Sequence, residues 1–165
     1  MGGYRKGVTL IELVAAVVIT GILAALGGMI VRQVVDSWNT VSSRSEAAAQ
    51  MNIALGRMSR QIRSIKGPAS VFIATANSFK FQRNDDLNIT YNVSGSDLLE
   101  NGVVLSGNVH RLNFTYYNAT GAVLPAPDVY PGDTNIRRIG IALEILSRAG
   151  NKARSVTVRP RNLGG

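Results

Sequence analysis

The sequence predicts an α+β protein, in which one long N-terminal helix, membrane-spanning in its first half, packs through its second half on a C-terminal antiparallel β-sheet. Three observations predict it. The run VTLIELVAAVVITGILAALGGMIV from Val8 to Val31 holds a single charge, Glu12. Met51, Leu55, Met58, Ile62 and Ile65 then recur at alternating spacings of four and three, the stripe of an amphipathic helix. Beyond Pro68 the pattern changes to short β-rich runs divided by turn residues.

The first run takes the apolar share of the chain to 45%, against 17% charged residues. At about 1.5 Å per residue a helix over Val8 to Val31 is roughly 36 Å long, enough to cross a hydrocarbon core of about 30 Å. Arg5 and Lys6 precede it, so the positive-inside rule keeps the short N-terminus in the cytoplasm and sends the rest across the membrane. A secretory signal has an apolar region of only about 7 to 15 residues, and this run exceeds it. Glu12 separates the run from a plain anchor, because a carboxylate in the apolar part of a spanning helix costs about 2.5 kcal/mol or more and marks a functional candidate.

The stretch Lys6-Gly7-Val8-Thr9-Leu10-Ile11-Glu12-Leu13-Val14 resembles the cleavage and assembly motif of type IV prepilins and type II secretion pseudopilins. The resemblance implies a pilin-like fold, cleavage after Gly7 on the cytoplasmic face by a dedicated prepilin peptidase, and methylation of the new N-terminus at Val8. Most members begin their mature chain with phenylalanine, so Val8 departs from the pattern. The spacing also makes chemical sense by itself. Cleavage creates an α-ammonium at Val8, largely charged at neutral pH, and Glu12 lies four residues on, along the same helix face. In a bundle of such helices Glu12 can answer a neighbour's ammonium and set axial register.

No proline falls between Val8 and Lys66, and Gly67-Pro68 is a strong stop, so a single helix is expected over that length. Trp38, Val41 and Ala48 extend the apolar stripe backwards, and Gly27-Gly28 marks the place for a bend or local unwinding. The expected organisation is a leader over 1–7, a transmembrane and assembly helix over 8–31, an amphipathic stalk over 32–66 and a periplasmic β-rich domain over 67–165. Ala54 to Ile65, with Arg57, Arg60 and Arg63 three apart, and the ending Arg161-Asn162-Leu163 resemble minor subunits of the J or W type.

In the last segment Ser70 to Thr75, Ser78 to Arg83, Leu87 to Val93, Val103 to Leu105, Val109 to Tyr117, Ile136 to Leu146 and Arg154 to Arg159 read as strands. Asn84-Asp85-Asp86, Ser94-Gly95-Ser96-Asp97 and Asn101-Gly102 read as hairpin turns. Residues 119–135, with three of the five prolines, form the longest irregular stretch and suit either a contact loop or a surface insertion.

Catalytic chemistry finds little support. The chain has no cysteine and one histidine, His110, so it offers neither a thiol nucleophile nor a zinc set. Asp85-Asp86, Asp97, Asp128 and Asp133 lack the spacing of a calcium loop and are explained by turns. No metal, cofactor or catalytic residue is expected. The net charge of +8, of which +6 remains once Arg5 and Lys6 leave with the leader, raises DNA binding as an alternative function. The basic residues are nevertheless spread out, with small concentrations at Arg57 to Lys66 and Arg148 to Arg161. The expected partners are therefore prepilin peptidase, other pilins or pseudopilins and the inner membrane, with nucleic acid a lesser candidate. A membrane-anchored periplasmic binding domain that never assembles is a further alternative.

Overall fold

A computed structural model describes residues 7, 9–125, 135–148 and 150–163. Among the described residues the chain forms a helix, α1 (Leu10–Arg63), followed by nine strands: β1 (Val71–Ala74), β2 (Ser78–Gln82), β3 (Asn88–Ser94), β4 (Asp97–Glu100), β5 (Val103–Ser106), β6 (Val109–Tyr117), β7 (Val123–Leu124), β8 (Arg138–Ile145) and β9 (Lys152–Val158). It divides into two compact units, Met1–Ser42 and Ser43–Gly165. The predicted pilin-like α+β fold is the one observed.

Within the first unit α1 is an uninterrupted helix, and residues 27 and 28 are as helical as their neighbours, so the unwinding expected at the glycine pair does not occur. The helix hydrogen bonds tolerate glycine, which costs roughly 1 kcal/mol each against alanine and does not by itself break a long helix.

The second unit is built on the last five turns of α1. Ala47, Met51, Ala54, Leu55, Met58 and Ile62 are buried, one stripe on one helix face. The backward extension predicted for that stripe fails: Trp38 is 75% and Val41 65% exposed, and Ala47 is buried in place of Ala48. Spacings of three and four mark a helix face, and within the second unit the step from Ala47 to Ala48, about 100°, is enough to leave the buried face. Arg60 and Arg63 occupy the last turn, where cations complement the exposed carbonyls. The helix stops at Arg63, before the predicted Lys66, because the following backbone takes other partners. The Lys66 amide donates to the Gln82 carbonyl (3.0 Å), the Asn84 amide donates to the Ser64 carbonyl (2.9 Å), and Ile65 forms a bridge with Arg83.

Where the sequence suggests one sheet, two form. The first is an antiparallel meander in the order β1-β2-β3-β4-β5, and the second is antiparallel in the order β7-β6-β8-β9. The break falls at Gly107-Asn108. Asn108 adopts a positive φ of 55°, its carbonyl accepts from the Leu146 amide, and the Val109 amide donates to Ser96. Strand alternation alone does not reveal where pairing changes sheet. Two strands were also not foreseen: β4, within and after an expected turn, and β7, inside the expected irregular stretch. The rest of that stretch, 126–134, lies outside the described residues.

The sheets and α1 share one core. Phe79 of the first sheet packs on Phe114 (5.5 Å between ring centres) and Tyr116 (5.7 Å) of the second, while Met58, Ile62, Leu98, Ile139, Ile141 and Leu143 are each at most 1% exposed. Each such side chain contributes about 1.5–3 kcal/mol by leaving water. The Tyr116 hydroxyl donates to the Thr75 carbonyl at 2.8 Å and fastens the two sheets together.

Candidate processing and assembly segment

The helix head is built locally from four residues. Thr9 precedes the first helical residue, its carbonyl accepts from the amides of Glu12 and Leu13 (both 3.1 Å), and its hydroxyl lies 3.3 Å from the Glu12 amide. Thr9-Leu10-Ile11-Glu12 therefore has the T-x-x-E form of a capping box, and the Glu12 amide is shared between the threonine carbonyl and hydroxyl. The sequence reading missed this. The signal was present as an acid three residues after a threonine at the start of an apolar run.

The cap gives Glu12 a second physical role besides the expected one. It stands in the first helical turn, where the positive end of the helix dipole favours a carboxylate. Gly7 is exposed, and a Cβ at that position would meet nothing within 4 Å. Val8, the expected new N-terminus, lies outside the described residues, so the structure does not describe the Val8–Glu12 pairing.

After the head, apolar side chains surround α1 on all sides and remain in the open. Leu13, Val17, Ile19, Leu23, Leu26 and Met29 are each more than half exposed, and the most apolar stretch has no buried residue. By length and composition this helix can cross a membrane. A helix that is apolar all round belongs inside lipid or among other helices, since in water it would expose a surface far above that of an ordinary soluble domain.

Several charged groups hold the second unit together. Arg57 donates through Nε to Glu100 Oε2 (2.7 Å) and through a terminal nitrogen to Oε1 (2.9 Å), a bidentate pair across α1 and β4. The Tyr91 hydroxyl donates to the same carboxylate at 3.2 Å. Glu100 hydrogen-bonds to the Arg57 guanidinium and draws it electrostatically, raising its affinity for its proton. Burial first, then the neighbouring carboxylate, pushes the Tyr91 hydroxyl well above the ordinary tyrosine value, and burial alone does the same to Tyr116.

Lys66 pairs with Asp86, and Arg83 with Asp85 (2.6 Å) and Gln61 (2.7 Å). Asp85 and Asp86 are thus the acidic half of a turn, and two members of the Arg57 to Lys66 concentration already have carboxylate partners. The chain ending folds back on the helix end: Asn162 donates to the carbonyl of Ile65 (3.1 Å) and to Asn84 (3.0 Å), Leu163 is buried, and Arg137 donates to the Leu163 carbonyl. His110 is exposed on β6, and among the described residues no group of three acidic, histidine or cysteine side chains is placed to hold a metal.

Residues 3–28 match the family model described as the prokaryotic N-terminal methylation motif. The match covers residues 3–7, the capped helix head with Glu12 and most of the exposed apolar run. No curated protein shows significant similarity to the chain.

Proposed function

We propose that this chain is a minor pilin or pseudopilin, a structural subunit that prepilin peptidase cuts after Gly7 and that then assembles into a type IV pilus or type II secretion pseudopilus. The observation that carries this reading is the coincidence of the methylation motif over 3–28 with a capped helix whose most apolar stretch has no buried residue. Such a surface suits storage in the inner membrane first and lateral packing against sister helices afterwards. Residues 1–7 are the leader, 8–31 the transmembrane and assembly helix, 32–66 the stalk and 67–165 the periplasmic domain. Val8 is the methylated first residue of the mature chain.

The J- or W-like helix end and tail support a minor subunit that primes polymerisation. In the second unit those two segments meet, the Asn162 side chain donating to the Ile65 carbonyl.

Glu12 sets register by answering the Val8 ammonium of its own or a neighbouring subunit. A glutamine at position 12 keeps a side chain suited to the capping box but removes the charge, so it separates the two roles of this residue. Glu12→Gln, produced with prepilin peptidase and the partner subunits, is expected to be cleaved normally and to be depleted from sheared fibres. Incorporation at the wild-type level would assign Glu12 to the cap alone. A chain cleaved but never found in fibres under any condition would favour a solitary anchored binding domain.

A further inference from the structure

Past the apolar run, α1 continues with a different pattern. Val31, Val34, Trp38 and Val41 follow one another at spacings of three, four and three, and each is more than 60% exposed. Arg32, Gln33, Asp36 and Thr40 fall on the other side of the same turns. The segment is therefore two-faced, and its apolar face continues that of the spanning run without a gap. Trp38 is the one tryptophan in the chain and the most exposed of these four residues.

Length suggests what covers it. From Leu10 to Trp38 the helix rises roughly 42 Å at about 1.5 Å per residue, and a bilayer measures about 40–45 Å with its headgroup layers included. Side chains on a helix lean toward its N-terminus, which brings the indole back over the preceding turn and toward the lipid. An indole combines a broad apolar ring with one N–H donor, and it concentrates where hydrocarbon meets headgroups.

Resting on the membrane-spanning reading above, we infer that Trp38 is an interfacial anchor that seats α1 in the headgroup layer on the far side of the bilayer from Leu10. The flanking Val34 and Val41 extend the contact along the lipid surface, while Arg32 and Asp36 face water or phosphate. The anchor fixes how far the helix protrudes before it is drawn into any assembly.

Because Trp38 is the sole tryptophan, the indole emission of the full chain, excited beyond the absorption of its five tyrosines, reports this position alone. The uncleaved chain is reconstituted at low protein-to-lipid ratio in vesicles of phosphatidylethanolamine and phosphatidylglycerol, some carrying bromines near the headgroup end of the acyl chains and some near their tips. The expected result is blue-shifted emission, quenched several-fold more strongly by the shallow bromines than by the deep ones. Emission and aqueous iodide quenching equal to those of a tryptophan amide in water, with the helix resistant to alkaline extraction, would overturn the anchor and leave the span standing. Stronger quenching by the deep bromines, or shielding from lipid and water quenchers alike, would also overturn it. Loss of the chain on alkaline extraction would remove the span and the anchor together.

Discussion

Glu100 illustrates how one charged residue shapes the second unit. Its carboxylate is drawn into the core and meets both the Arg57 fork and the Tyr91 hydroxyl. Arg57→Ala leaves that carboxylate short of its main donor. The expected loss is about 1–3 kcal/mol, toward the lower end because the arginine side chain is 51% exposed and water can partly replace it. Urea unfolding of the full chain in detergent micelles measures it, and an unchanged midpoint would contradict the pairing. The two buried tyrosines set a pH dependence. Their folded-state values lie above the ordinary tyrosine value of about 10, so their contribution is complete below about pH 10 and declines above it, as the unfolded chain releases protons that the folded chain retains. Tyr116→Phe should flatten that alkaline decline while costing about 1 kcal/mol at neutral pH through the lost bond to Thr75. An alkaline slope identical to wild type would show that Tyr116 does not titrate on unfolding.

At the scale of elements, α1 and the β4–β5 hairpin make the sharpest claims. Met58 and Ile53 are five residues apart on one helix, yet Met58 is fully buried and Ile53 is 66% exposed. Met58→Ala is expected to destabilise by about 2–5 kcal/mol and Ile53→Ala by less than about 0.5 kcal/mol, and equal effects in the same urea titration would contradict the packing face. Asn101 and Gly102 join β4 to β5 with φ of 53° and 82°, the signature of a type I′ turn. Gly102→Ala places a Cβ in a left-handed conformation and should cost about 1 kcal/mol. Asn101-Gly102 was legible because its backbone demand is written in its residue types. The Met51 to Ile65 stripe was legible because burial follows helical period. By contrast, β4 was hidden because Asp97 reads as the end of a turn, and the acid at the strand's other end is explained by Tyr91 and by Arg57, 43 positions away. The Trp38, Val41 and Ala48 extension failed for a related reason. Spacing specifies neighbours along a face but not which face the sheets will cover.

For the whole molecule, the head of α1 was the most readable part, since hydropathy, flanking charge and a lone acid are local properties of the chain. The Thr9 cap was equally local and was passed over because the membrane reading already accounted for Glu12. The division into two sheets was not readable, as it depends on pairings between distant strands. What the structure adds is a contrast between the units. The second carries its own core, while the first leaves its apolar surface open to partners outside the chain. The central claim is that this open helix is released for assembly by a cut at its head. Its most direct test is the intact mass and N-terminal sequence of the chain after production with an active prepilin peptidase. The account predicts loss of residues 1–7 and a new N-terminus at Val8 bearing a methyl group. A chain that keeps Met1 to Gly7, or one cut within Ala24 to Gly28 as a secretory signal would be, would contradict it.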